Sequence, residues 1–161
     1  MSKADMFLSV TGQKTGPIKG ESEDEQHKGE IDILGWSWGI SAQTAMGGGG
    51  PAGKAVIKEL RLRKHVDRAS TALMSVATNN ELIKKAVLAV RKAGTTQQEY
   101  FKLTIERGRI TSYEVQAPES ETNPEMLELL SLSFQKIEIE YRLQGEDGQL
   151  RGSGVYANEI A

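Results

Sequence analysis

The stretch Gly20-Glu21-Ser22-Glu23-Asp24-Glu25-Gln26-His27-Lys28-Gly29-Glu30-Ile31-Asp32-Ile33-Leu34-Gly35-Trp36-Ser37-Trp38-Gly39 decides how the rest of this sequence is read. An acidic, polar loop runs straight into an aromatic strand. Trp36 and Trp38 are the only tryptophans. Two residues apart on an extended backbone, they project from one face and are expected to bury as a pair, with Ser37 pointing the other way. Ile31, Ile33, Leu34, Trp36, Trp38 and Ile40 then read as one long strand. It ends where Met46 gives way to Gly47-Gly48-Gly49-Gly50-Pro51-Ala52-Gly53, a run that is costly to order unless a partner fixes it.

Outward from that stretch the chain reads as short strands. Phe7, Leu8 and Val10 make a first strand, followed by turns at Gly12, Gly16, Pro17 and Gly20. Val56 to Val66 fits both a strand face and a helical stripe, and is read as strand. A short helix through Leu73, Met74 and Ala77 has Asp67 and Ser70 as candidate N-caps and Asn79-Asn80 as its stop. Ile83 to Arg91, Tyr100 to Glu106, a tight turn at Arg107-Gly108, and Ile110 to Ala117 read as an antiparallel meander. Leu130, Leu132 and Phe134 are apolar at even positions, whereas Ile137, Ile139, Tyr141 and Leu143 are apolar at odd ones. The phase flip near Gln135-Lys136 demands a bulge, or a strand that crosses from one sheet to another. About seven or eight strands and one short helix indicate a mainly β fold, a barrel or a sandwich.

The bulk properties are permissive. A chain of 161 residues suits one domain, residues 1–161, with an extended Gly-rich loop at about 42–55. The net charge of −2 gives no electrostatic reason to expect nucleic acid or an anionic membrane as partner. The sequence shows no signal-peptide core and no membrane-spanning run, so the chain is expected to be made and folded in the cytosol. It has no cysteine, and hence no disulfide or thiolate metal site.

The chemistry is sparse. Gly48 to Gly53 and Lys54 fit most of a phosphate-binding loop, but Ala55 stands where Ser or Thr would ligate magnesium, and the segment joins two strands. It is read as a loop for packing between subunits. His27 and His65 have no metal-ligand spacing. A site built from both with Glu30 or Asp32 is conceivable, but a loop histidine that hydrogen-bonds its own backbone is the simpler reading. No catalytic residue, cofactor site or metal site is assigned. Trp36 and Trp38 could form a sugar-binding platform on a carbohydrate-binding β-sandwich, yet Ile31, Ile33, Leu34 and Ile40 around them favour aromatic core residues. Glu138 and Glu140 share one strand face, read as solvated or, in an assembly that encloses water, as lining its interior.

As an ordered pattern, Gly20-Glu21-Ser22-x-Asp24-x-x-His27-x-x-Glu30-Ile31-Asp32 followed by Trp36-Ser37-Trp38-Gly39 closely resembles the hemolysin-coregulated protein (Hcp) family, which builds the inner tube of bacterial type VI secretion systems. The similarity continues through Asp5-Met6-Phe7-Leu8, Leu60-Arg61-Leu62, Val90-Arg91-Lys92-Ala93-Gly94 and Leu132-Ser133-Phe134-Gln135-Lys136-Ile137. Gly35 stands where relatives often carry Ser. The resemblance implies a small antiparallel β-barrel with one flanking helix. It implies a homo-hexameric ring that stacks into a tube driven by a contractile sheath, with a VgrG-type spike at the tip and effector proteins carried inside. It also implies export without a signal peptide, after assembly in the cytoplasm. Two contact surfaces are expected. One is the glycine-rich loop, with Met46, Gly47, Gly48, Gly49, Gly50, Pro51 and Lys54 as candidate ring-stacking residues. The other is Leu88, on a strand apolar on both sides.

Overall fold

One 18-residue strand organises the molecule. The computed structural model describes residues 5–42, 55–92, 99–117, 125–144 and 150–160. In chain order the strands are β1 (Met6–Gly12), β2 (Gly16–Pro17), β3 (Ile31–Asp32), β4 (Gly35–Ser37), β5 (Ile40–Ala42), β6 (Ala55–Ile57) and β7 (Leu60–His65). After the helix α1 (Ser70–Thr78) come β8 (Ile83–Arg91), β9 (Glu99–Gln116), β10 (Leu127–Ser133), β11 (Lys136–Gln144) and β12 (Leu150–Glu159). All the ladders are antiparallel.

β9 corrects the sequence reading. Arg107-Gly108 is not a turn between two strands but a kink inside one. Arg107 takes a φ of 52°, and a Cβ on Gly108 would lie 2.6 Å from the Ser133 carbonyl oxygen. The buried phase changes there, from Leu103 and Ile105 to Ile110. β10 and β11 follow the same edge of β9 in sequence, β10 opposite Arg109–Gln116 and β11 opposite Phe101–Glu106. The phase flip read at Gln135-Lys136 therefore sits opposite the kink, and the Gln135 N–H donates to the Glu106 and Arg107 carbonyls, each at 3.2 Å. Both strands of the ribbon bend together, which carries the sheet round a corner.

The expected long strand from Ile31 to Ile40 is also corrected: it is broken into β3, β4 and β5, each with its own partner. β3 pairs with β1, β4 with β7, and β5 with β6. Ile31 and Ile33 bury at odd positions, while Trp36 and Trp38 pack on the core at even ones, so the face changes at Leu34-Gly35. The strand path is open, running β3-β1-β8-β9-β10-β7-β4. Its two ends lie in one short piece of chain, where the Ile33 N–H donates to the Met6 carbonyl at 3.0 Å and the Leu34 N–H to the Arg63 carbonyl at 2.8 Å. A mainly antiparallel β fold with one short helix is what the structure shows.

The core lies inside this curved sheet, built from Leu8, Val10, Ile31, Ile33, Leu60, Leu62, Leu88, Leu103 and Ile105. The helix adds Leu73 and Val76. Ala69 is its N-cap; Asp67 Oδ1 accepts the Ala69 N–H at 3.0 Å, and Ser70 Oγ accepts the Asp67 N–H at 2.9 Å. Asn80, at φ 51°, supplies the left-handed residue after the helix. No helix among the described residues is long and apolar enough to cross a membrane.

Candidate functional site: the motif loop and the assembly surfaces

The Gly20–Glu30 loop folds onto the face of β1 and β8 that points away from the core. Phe7 and Ala89 face each other there and are buried. The His27 ring stacks on Phe7 at 4.4 Å with planes 8° apart, and the Arg91 guanidinium lies 4.9 Å from the centre of the same ring. Arg91 grips Asp24 with two bonds, Nη1 to Oδ2 at 2.9 Å and Nη2 to Oδ1 at 2.5 Å. This hydrogen-bonded guanidinium holds the Asp24 carboxyl below the usual carboxylate range, and Asp24 in turn raises Arg91. His27 Nδ1 is 2.9 Å from Glu30 Oε2, and Nε2 is 2.5 Å from Glu99 Oε1. The second approach is an ion-pair distance whose direction does not make a hydrogen bond.

Each remaining motif residue has a place in the loop. The Gly20 N–H donates to the Gly29 carbonyl at 2.7 Å, and a Cβ on Gly20 would lie 2.4 Å from the Glu30 carbonyl oxygen. The Ser22 N–H donates to the Glu30 carbonyl at 3.0 Å, and its carbonyl accepts the Gly29 N–H at 2.9 Å. Glu21 Oε2 accepts the Arg68 N–H at 2.6 Å, which ties the loop to the approach of α1. Asp32, beside this acidic run, is pushed above the usual carboxylate range by burial and then by Asp67, Glu21 and Asp24. The motif is a clasp in which Gly20, Glu21, Ser22, Asp24, His27 and Glu30 each bond within their own chain.

The tryptophans face the core together, with Ser37 exposed between them, but each is only half-buried. Trp36 stacks on Phe101 at 5.2 Å and Trp38 tilts against Tyr156 at 6.1 Å, so each packs on a different strand at the margin of the core. With faces occupied from inside, they do not form a flat sugar platform. The two histidines also go different ways, His27 to Glu30 and Glu99 and His65 to Glu125, which does not assemble the joint site considered above.

Of the assembly candidates, Leu88 is withdrawn. It is 0% exposed in the single chain and belongs to the main core, while on the other side of β8 Ala89 and Arg91 are buried under the motif clasp and Val87 is half-buried. A strand apolar on both faces is here, over its C-terminal half, a strand with protein on both faces. Met46, Gly47, Gly48, Gly49, Gly50, Pro51 and Lys54 lie outside the described residues. The base of their loop is the β5–β6 ribbon, where Ile40 and Val56 are 49% and 56% exposed. Ala55 opens a strand, whereas a phosphate-binding loop requires a helix there. At another margin, among the described residues, β12 pairs with β11 alone, and this ribbon exposes Tyr141 on one face and Val155 on the other.

Comparison with known proteins agrees over most of the chain. The family model described as type VI secretion system effector, Hcp, matches residues 7–141. The chain belongs to the Hcp family. Protein hcp1 of Pseudomonas aeruginosa is 36% identical over 154 residues, covering 94% of this chain and 91% of that protein. The crystal structure of a type VI secretion system effector from Yersinia pestis is similar with a TM-score of 0.75 and 26% identity, over 97% of this chain and all (100%) of that one. Hcp1 from Salmonella typhimurium shares the fold with a TM-score of 0.73 at 24% identity, covering 97% and 95%. As an Hcp protein the chain is a type VI secretion component, and nothing in these comparisons supports a carbohydrate-binding module.

This Hcp chain also holds a polar cluster that the sequence reading missed. Lys64 and Glu128 face each other across β7 and β10, both completely buried. Lys64 Nζ meets Glu128 Oε1 at 2.5 Å, Asp67 Oδ1 at 2.9 Å and Ser70 Oγ at 3.2 Å. Ser70 Oγ donates to Glu128 Oε1 at 2.7 Å, and the Tyr113 hydroxyl donates to Glu128 Oε2. Burial, and then Glu128, push the Tyr113 phenol well above its ordinary value. The cluster moors the start of α1 to the sheet. Its signal was a charge in the apolar phase: Lys64 follows Leu60 and Leu62, and Glu128 precedes Leu130 and Leu132.

Proposed function

We propose that this chain is the inner-tube subunit of a type VI secretion apparatus. It closes into hexameric rings that stack into a tube, leaves the cell with that tube, and carries small effector proteins in the lumen. Its partners are further copies of itself, a VgrG-type spike, the sheath and the effectors. Its work is structural, with assembly in the cytoplasm preceding export. The observation that carries this reading is membership of the Hcp family over residues 7–141. Two features of the surface support it: the motif residues are spent on the fold, and apolar side chains stand exposed on the β5–β6 ribbon and at β11–β12. The glycine-rich segment that joins β5 to β6 in sequence is read as taking part in ring stacking.

Size exclusion with light scattering on the purified protein, followed by negative-stain imaging, tests the reading. A six-subunit mass and open rings are expected. A monomer at high concentration would overturn it. Export is checked separately, by finding the protein outside cells that have a working sheath and not outside cells that lack one.

A further inference from the structure

Strand β7 sends Leu60 and Leu62 into the core and Arg61 and Arg63 to the opposite face, where both are exposed. The neighbours of those arginines across the two ladders are short or uncharged. Ser37 and Ser131 flank Arg61, and Gly35 and Leu129 flank Arg63. Ser112 extends the first row, and Glu114 the second, where Glu114 accepts a hydrogen bond from Gln116. Among the described residues neither guanidinium has an ion pair or a hydrogen bond. Arg91, Arg107 and Arg142 of the same chain each hold a carboxylate. Arg61 and Arg63 are thus two uncompensated cations, Arg61 between serines and Arg63 between Gly35 and Leu129, on a broad sheet face rather than at an edge.

We propose that this face binds an acidic polypeptide segment, with its carboxylates on Arg61 and Arg63 and its amides and hydroxyls on Ser37 and Ser131. A guanidinium presents a planar fork of donors that fits a carboxylate with two bonds. Alternate residues of a strand are roughly 7 Å apart, so the pair matches alternate carboxylates of an extended partner. Nucleic acid fits less well. Phosphate-tracking surfaces use on the order of 6–10 cationic contacts, whereas here there are two arginines, Glu114 at the border and a chain of net charge −2. The proposal rests on the reading of this chain as a carrier of effectors, and names the surface chemistry of the passenger.

The test is fluorescence anisotropy of a short labelled peptide of alternating Glu and Ser, titrated with the full-length protein in its native assembled form. Saturable binding is expected at low salt, weakening as the screening length falls from about 10 Å to about 3 Å. Each exposed pair is worth a factor of about two to five, so R61Q/R63Q should weaken binding roughly tenfold, and R61K/R63K should retain part of it. No binding at low salt, or binding unchanged in R61Q/R63Q, would overturn the proposal. So would tighter binding of a labelled oligo-dT. Light scattering on the same samples separates the two readings. A non-ring wild type that binds the peptide sinks the ring and leaves this face standing, while an intact ring without arginine-dependent binding sinks this face alone. Loss of the ring in R61Q/R63Q would make the arginines subunit contacts and overturn the proposal.

Discussion

Gly20 shows what the family motif costs to change. Its missing side chain lets the loop strand pass over Glu30, and a methyl group there would overlap a backbone carbonyl that cannot swing aside. Gly20→Ala is expected to lower stability by about 1–3 kcal/mol, read from urea unfolding, and to loosen the His27 stack. Asp24 makes the same clasp sensitive to acid. Its carboxyl is held below the ordinary range by Arg91, so the stability it adds is complete above the unfolded-chain value near about 3.9 and disappears as pH falls through the lower folded value. Asp24→Asn should cost about 1.5–3 kcal/mol near neutrality and flatten the acid limb of a melting-temperature profile. An unchanged acid limb would mean that Arg91 is not what holds Asp24 ionised.

At the scale of elements, the sequence was legible wherever one strand keeps one face. Alternation marked β10, and the phase flip at Gln135-Lys136 marked a true corner; Val56 to Val66, which also suits a helical stripe, is strand as read, but divided into β6 and β7. Arg107-Gly108 reads in the sequence as a turn, because a polar residue followed by glycine is also what ends a strand in a hairpin. Local chemistry does not distinguish a kink from a reversal; only the partner on the far side, β10 running on into β11, does. The division of residues 31–42 among three partners was hidden for the same reason, although the adjacent Ile33 and Leu34 carried its trace. Leu88 was misjudged because apolar residues on both faces describe a buried strand as well as a sticky one. The Lys64–Glu128 pair yields an element-scale prediction. Removing either charge alone, as in Lys64→Met or Glu128→Gln, should cost about 3–5 kcal/mol by stranding the other in the core. The double variant K64M/E128L should recover much of that loss in chemical denaturation, and equal losses in all three variants would count against a mutual mooring.

For the whole molecule, the β5–β6 ribbon is the natural place to separate folding from assembly. It makes a sheet of its own, apart from the ten-stranded one. Deleting Gly47 to Gly50 should leave the melting temperature of the subunit within about 2–4 °C of the parent while reducing tube growth and secretion. Undiminished tubes from that deletion would remove the loop from ring stacking. The joining of the sheet's two ends by residues 31–37 has a further consequence, for the order in which the molecule can be made. During synthesis this segment finds β1 behind it almost at once and β7 soon after, but β7 and β9 cannot be bridged until β10 has emerged, from Leu127 to Ser133. Until then the nascent chain carries raw edges on both strands that β10 will later occupy, with the pairing tendency that such edges have. The last quarter of the polypeptide is therefore its keystone, and a ribosome that stalls before residue 127 leaves an arch that stands only by leaning on its neighbours.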